Sequence, residues 1–176
     1  MRILTCLTCV VLACAAPAAA QMSVTTIGAT DAANCYENAR SDFSRSTEPC
    51  DKALKDAGLS ISDRKKTLVN RGVIHNRNGD LGAALEDFNE AIEMDAALGE
   101  AYLNRGNSYY LAQRFDDAMA DYERALDIGV GKPWAAWYNI GLVYEAKKQP
   151  DKAREAYEEA LSANPDFTQA QQKLEG

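Results

Sequence analysis

A register of small and aromatic residues recurs three times along this chain of 176 residues and leaves few folds open to it. Ala84, Phe88 and Ala91 follow Gly72 at offsets of 12, 16 and 19 residues. Ala118, Tyr122 and Ala125 follow Gly106 at the same offsets, and Ala153, Tyr157 and Ala160 follow Gly141. The glycines are 34 and then 35 residues apart, and the tripeptide Asn-Arg-Gly that ends on the first two is identical, at 70–72 and 104–106. A fixed period of this length marks a stacked array, in which each unit is too small to bury a core alone and hides its apolar side against its neighbours.

Within a unit, apolar residues recur three or four apart, as in Leu81, Ala84, Leu85, Phe88 and Ile92, the spacing of a helix with one buried face. Two such segments of about 13 residues joined by a short turn make a helical hairpin. Turn signals stand between them: Asn78-Gly79-Asp80, Gln113-Arg114-Phe115, and Lys148-Gln149-Pro150-Asp151, where Pro150 suits a first helical turn. Small Gly and Ala let the paired helices approach, and Phe88, Tyr122 and Tyr157 fill the wider space beside them.

On these residues the chain resembles the tetratricopeptide repeat family. The third unit carries the family pattern best, with Trp137, Ile140-Gly141, Tyr144, Ala153, Tyr157, Ala160 and Pro165. The second has Tyr102 for the first aromatic and Arg105 for the residue before Gly; the first has Leu68, Arg71 and His75. The resemblance implies an all-α, right-handed solenoid of helical hairpins, with units at 65–98, 99–133 and 134–167 and a polar capping helix at 168–176. One period upstream of the first unit, Cys50, Leu54 and Ala57 fall where Ala84, Phe88 and Ala91 would be, so 31–64 reads as a degenerate leading hairpin. Residues 21–30 are expected to be a flexible linker.

Residues 1–20 have one basic residue, Arg2, then an apolar run and Ala18-Ala19-Ala20, and read as an export signal cleaved after Ala20. A periplasmic protein follows; the rival is a lipoprotein anchored through Cys14 in Val11-Leu12-Ala13-Cys14. Removing the signal leaves Cys35 and Cys50, most simply one disulfide in an oxidising compartment, the alternative being two separate buried thiols. The bond would close a loop of about 16 residues and stabilise by about 3 kcal/mol. To meet, the cysteines require the first helix to end early, near Ser41. The mature chain holds 18 basic against 26 acidic residues, which argues against nucleic acid or an anionic membrane surface as partner, and no membrane span is expected after the signal is removed.

Arg71 and Arg105 each precede the close-contact glycine, where the family resemblance implies an apolar residue. A charge near a helix contact needs a partner. In an antiparallel hairpin, residues equally far from the turn lie side by side. Reflection about Gly79 carries Arg71 onto Asp87, and reflection about Gln113 carries Arg105 onto Asp121. In the third unit Ile140 reflects onto Ala156, so both charges are absent together. Intra-repeat ion pairs are therefore expected, unrelated surface charges being the alternative.

No catalytic or metal-binding constellation is visible, and no cofactor is expected: His75 is the only histidine and stands at an aromatic packing position. The resemblance implies instead a concave groove lined by the first helix of each unit, here by Lys66, Val69, Asn70, Val73, Asn76 and Arg77, by Glu100, Leu103, Asn104, Asn107, Tyr110 and Leu111, and by Ala135, Tyr138, Asn139, Leu142, Glu145 and Ala146. Asn70, Asn104 and Asn139 form a ladder of carboxamides able to bond an extended backbone, or else to pair with neighbouring helices. The expected function is a non-enzymatic scaffold that holds an unknown protein or peptide in the groove. A periplasmic redox or envelope-stress component that cycles Cys35 and Cys50 is the alternative; contacts through outer or end faces are a third reading.

Overall fold

In the computed structural model residues 25–175 are described, and the fold among them is entirely helical. The helices are α1 (Thr25–Arg40), α2 (Glu48–Lys55), α3 (Ile61–Asn78), α4 (Leu81–Met94), α5 (Gly99–Leu111), α6 (Phe115–Asp127), α7 (Pro133–Ala146), α8 (Pro150–Ala163) and α9 (Thr168–Glu175). Consecutive helices pair as hairpins, and α1, α3, α5 and α7 also touch one another in series, making the inner face of a solenoid. Helix α9 closes the stack against α8 through buried Ala170. The expected export signal at 1–20, its cleavage site and Cys14 lie outside the described residues, as do residues 21–24.

Two boundaries differ from expectation. Helix α1 begins at Thr25, inside the stretch expected to be linker, because no proline interrupts 25–30 and the helix runs on without a break into the turn that carries Cys35. Helix α3 begins at Ile61, ahead of residue 65, because Ser60 caps it: the Asp63 N–H donates to Ser60 Oγ at 3.0 Å, and the Ser60 hydroxyl donates back to Asp63 at 2.7 Å.

The turns share one device. Gly79, with φ 85°, ends α3 in the left-handed region, and Gln113 and Lys148, with φ 59° and 58°, do the same one and two periods later. Each helix thus closes its last carbonyls and turns sharply into its partner.

The recurring glycines sit against the recurring rings. A Cβ built on Gly72 would lie 2.6 Å from Cε1 of Phe88, and one on Gly106 would lie 2.6 Å from Cε1 of Tyr122. Both rings are fully buried and have no room to withdraw. Gly106→Ala is expected to cost about 2 kcal/mol by overpacking, read as a lowered urea midpoint; an unchanged midpoint would contradict the packing account.

The leading hairpin is built differently. Helix α1 stops at Arg40, and the loop from Ser41 brings Cys50 back to Cys35 with Cα atoms 4.7 Å apart, the two sulfurs bonded. Both cysteines are fully buried and pack on Ile74 of α3.

Candidate functional site

The inner face of the solenoid is where the side chains expected to bind a ligand meet, but they divide into engaged and open groups. Asn104 donates its amide to the Glu100 carbonyl of its own helix at 2.7 Å. Asn139 donates to Asn107 Oδ1 at 2.8 Å, which also accepts from the Tyr122 hydroxyl at 3.0 Å. Ser108 donates to Asn76 Oδ1 at 2.8 Å. The Asn139 and Ser108 bonds form a polar seam between successive repeats while Asn104 turns to its own helix, so two of the three ladder carboxamides are engaged within the fold. Asn70 is the rung whose side chain makes no hydrogen bond among the described residues.

Other expected groove residues are also committed to the fold. Leu103 is buried in the core with Tyr122 and Ile140, not presented on the surface. Val73 packs at the edge of the first repeat's core. Arg77 turns to the end of α1, its guanidinium donating to the carbonyls of Asn38 at 3.1 Å, Ala39 at 2.7 Å and Ser44 at 2.9 Å. The reason is electrostatic: a helix end leaves carbonyls unpaired and carries partial negative charge, and Arg77 neutralises it. Tyr110 meets the edge of Phe115 at 5.8 Å, and Tyr138 lies between Tyr157, tilted at 5.5 Å, and Phe167, edge to face at 5.4 Å, with Leu142 against the same cluster.

The open part lies toward the amino-terminal half. A cavity of about 340 Å³ is lined by Tyr36, Lys66, Val69, Asn70, Leu98 and Glu100. A second of about 300 Å³ adjoins it between α1 and α3 and shares Tyr36, Lys66 and Asn70. Tyr36, half-exposed, was not expected here; it stands one period before Asn70, at the ladder position of the leading hairpin, and that register is the signal that could have found it. Its ring, the Asn70 carboxamide, and the opposite charges of Lys66 and Glu100 suit an extended segment of mixed charge.

Both arginines meet the aspartates onto which reflection carries them. Arg71 Nη2 lies 2.6 Å from Asp87 Oδ1, and its Nη1 reaches Asp51 of α2 at 2.8 Å, a partner that reflection within one hairpin could not supply. Arg105 holds Asp121 through Nε and Nη2, each at 2.8 Å, and donates Nη1 to Asn89 at 2.7 Å. The hydrogen bonds to Asp87 and Asp121 raise both guanidinium groups above their ordinary range. Arg71 thereby ties the leading hairpin to the first repeat.

His75 lies 3.8 Å from Asp80 and 3.9 Å from Asp87. Among the described residues no three His, Cys, Asp or Glu side chains are grouped to hold a metal, and no helix is long and apolar enough to cross a membrane.

Models of the family described as tetratricopeptide repeat match residues 66–98, 99–128 and 134–167, more than half of the chain. Human Tetratricopeptide repeat protein 36 is 31% identical over 112 residues, 62% of this chain and 59% of that protein. The chain spans less than two thirds of the curated relatives it matches, and 15% of human Tetratricopeptide repeat protein 6. Among solved structures, the MamA protein is 26% identical with a TM-score of 0.65, over 86% of this chain and 79% of that one. The second TPR domain of human RPAP3, solved in complex with an HSP70 peptide, shares the fold at 22% identity and a TM-score of 0.59, over 66% of this chain and 96% of that one.

Proposed function

Since the chain belongs to the tetratricopeptide repeat family, whose stacked hairpins are protein-interaction scaffolds, we propose that it is an exported, periplasmic scaffold holding an extended protein segment on its inner face, between α1, α3 and α5. One observation carries this reading: the cavity around Asn70 combines a carboxamide with no partner among the described residues, the half-exposed Tyr36, and Lys66 facing a site that Glu100 also borders. Capture of a terminal carboxylate further along the groove has less support, because Asn107 and Asn139 bond each other and Lys173 is paired with Glu145 at 2.6 Å. A segment of mixed charge, bonded through its backbone, fits better.

The redox alternative finds no support in the geometry. Thiol exchange needs an attacking thiolate to reach a sulfur in line, and both cysteines are fully buried, packed with Ile74 of α3 and Ala39 of α1. The pair is assigned a structural role. Thiol counting on the chain recovered from the periplasm should find neither cysteine reactive.

The decisive experiment is capture from an envelope extract by the parent chain and by a Lys66→Ala, Asn70→Ala variant. Loss of roughly tenfold or more of the captured segment is expected, as for two hot-spot contacts removed together. Equal capture by both proteins would move the site elsewhere, and recovery of the chain from the cytoplasm alone would remove the export reading.

A further inference from the structure

Each repeat places two side chains, seven residues apart on its first helix, beneath the outer helices. In the second repeat they are Tyr102 and Tyr109, and the space above them is occupied by cations. Arg105 Cζ stands 5.3 Å from the Tyr102 ring centre and 5.9 Å from that of Tyr109, and Arg124 Cζ stands 5.9 Å from Tyr102. Asp121 and Asn89 accept the Arg105 N–H groups. In the first repeat Arg71 fills the same position between Asp87 and Asp51.

The third repeat keeps the aromatic walls and lacks the arginine. Trp137 and Tyr144 stand at the positions of Tyr102 and Tyr109, while Ile140 replaces Arg105 and Ala156 replaces Asp121. Glu123 stands for Asn89 and Glu159 for Arg124, so the rim changes from mixed to acidic. The result is an open notch of about 400 Å³ between α6 and α8, floored by Trp137, Ile140, Tyr144 and Ala156 and rimmed by Glu123, Glu155 and Glu159. The one cation on its wall, Lys152, already lies 5.5 Å from the Tyr144 ring centre.

We propose that this notch receives an arginine side chain from a basic segment of a partner protein laid across α6 and α8. Two other repeats of the same chain hold a guanidinium in the matching space, and the three carboxylates supply the counter-charge that Asp121 supplies in the second repeat. A planar guanidinium stacks on aromatic faces and takes carboxylates two N–H groups at a time, which selects arginine over lysine. The site lies on the outer face and is independent of the groove around Asn70.

The test titrates the purified chain with an acetylated, amidated Gly-Arg-Gly-Arg-Gly peptide, following the Trp137 indole N–H and backbone amide signals by NMR. Saturable shifts centred on Trp137 and Tyr144 are expected, with no response to the same peptide made with neutral citrulline. Glu123→Gln, Glu155→Gln and Glu159→Gln together should weaken binding roughly tenfold or more. Ile140→Arg with Ala156→Asp, which writes the second repeat's pair into the third, should abolish it. Glu86→Gln, Glu90→Gln and Glu93→Gln on α4 remove equal charge from exposed positions and should change it by less than about twofold. An equal response to citrulline, equal weakening by the α4 control, or self-association of the chain abolished by the notch glutamines would overturn the proposal. Shifts centred on Asn70 would overturn it too, while leaving the groove reading intact.

Discussion

Asp121→Ala is expected to destabilise the second hairpin by about 3 kcal/mol, and adding Arg105→Ile is expected to restore most of that loss. Asp121 has 8% of its side chain exposed and Arg105 19%, and the aspartate takes two of the guanidinium's donors. Removing the carboxylate alone strands a charge among Tyr102, Tyr109 and the carboxamide of Asn89. Removing both partners leaves no stranded charge, and the third repeat already stands with the apolar pair Ile140 and Ala156, both buried, at these positions. The four proteins of the double-mutant cycle should be compared in urea, with hydrogen exchange in α5 and α6 as the local readout. A coupling energy below about 0.5 kcal/mol would show that the pair is no more than a surface contact. Asp87→Ala should cost less, because Arg71 keeps Asp51.

Reducing the bond between Cys35 and Cys50, or replacing both by Ala, is expected to weaken the leading hairpin by about 3 kcal/mol while sparing the repeats behind it. The loss is confined because each unit of a solenoid contacts only its neighbours. Helix α2 has eight residues and cannot hold itself; its link to α1 acts together with the Arg71 to Asp51 contact, the Arg64 bonds to the Leu54 and Asp56 carbonyls and the packing of Leu54 on the first repeat's core to keep it docked. Hydrogen exchange with and without reductant should show faster exchange across 25–58 and little change across 99–163. Uniform acceleration along the whole chain, or none anywhere, would refute the local role. Reduction should be slow as well, since the sulfurs are reached only when the hairpin opens.

Much of the architecture was legible because it repeats. Gly106 and Tyr122 recur as Gly141 and Tyr157, so close contacts between paired helices could be read as offsets along the chain. The same holds for the ion pairs, since an antiparallel hairpin with a known turn places Arg105 opposite Asp121 by symmetry alone. The site was less legible. A carboxamide is equally suited to its own helix, a neighbouring helix or a ligand, and Asn104, Asn139 and Asn70 stand at one register position yet differ in this respect. Arg77 was expected in the groove, but its carbonyl partners lie 33 to 39 residues away in a hairpin that does not follow the pattern.

The sequence alone therefore determined the repeating hairpin, its small and large core positions and its bridging charges, because each is a property of a local period that a helix turns directly into geometry. Only the tertiary structure decided which polar side chains remain open to a partner. That choice depends on how neighbouring hairpins stack, where a shift of about an ångström makes or breaks a hydrogen bond, and no period along the chain records it.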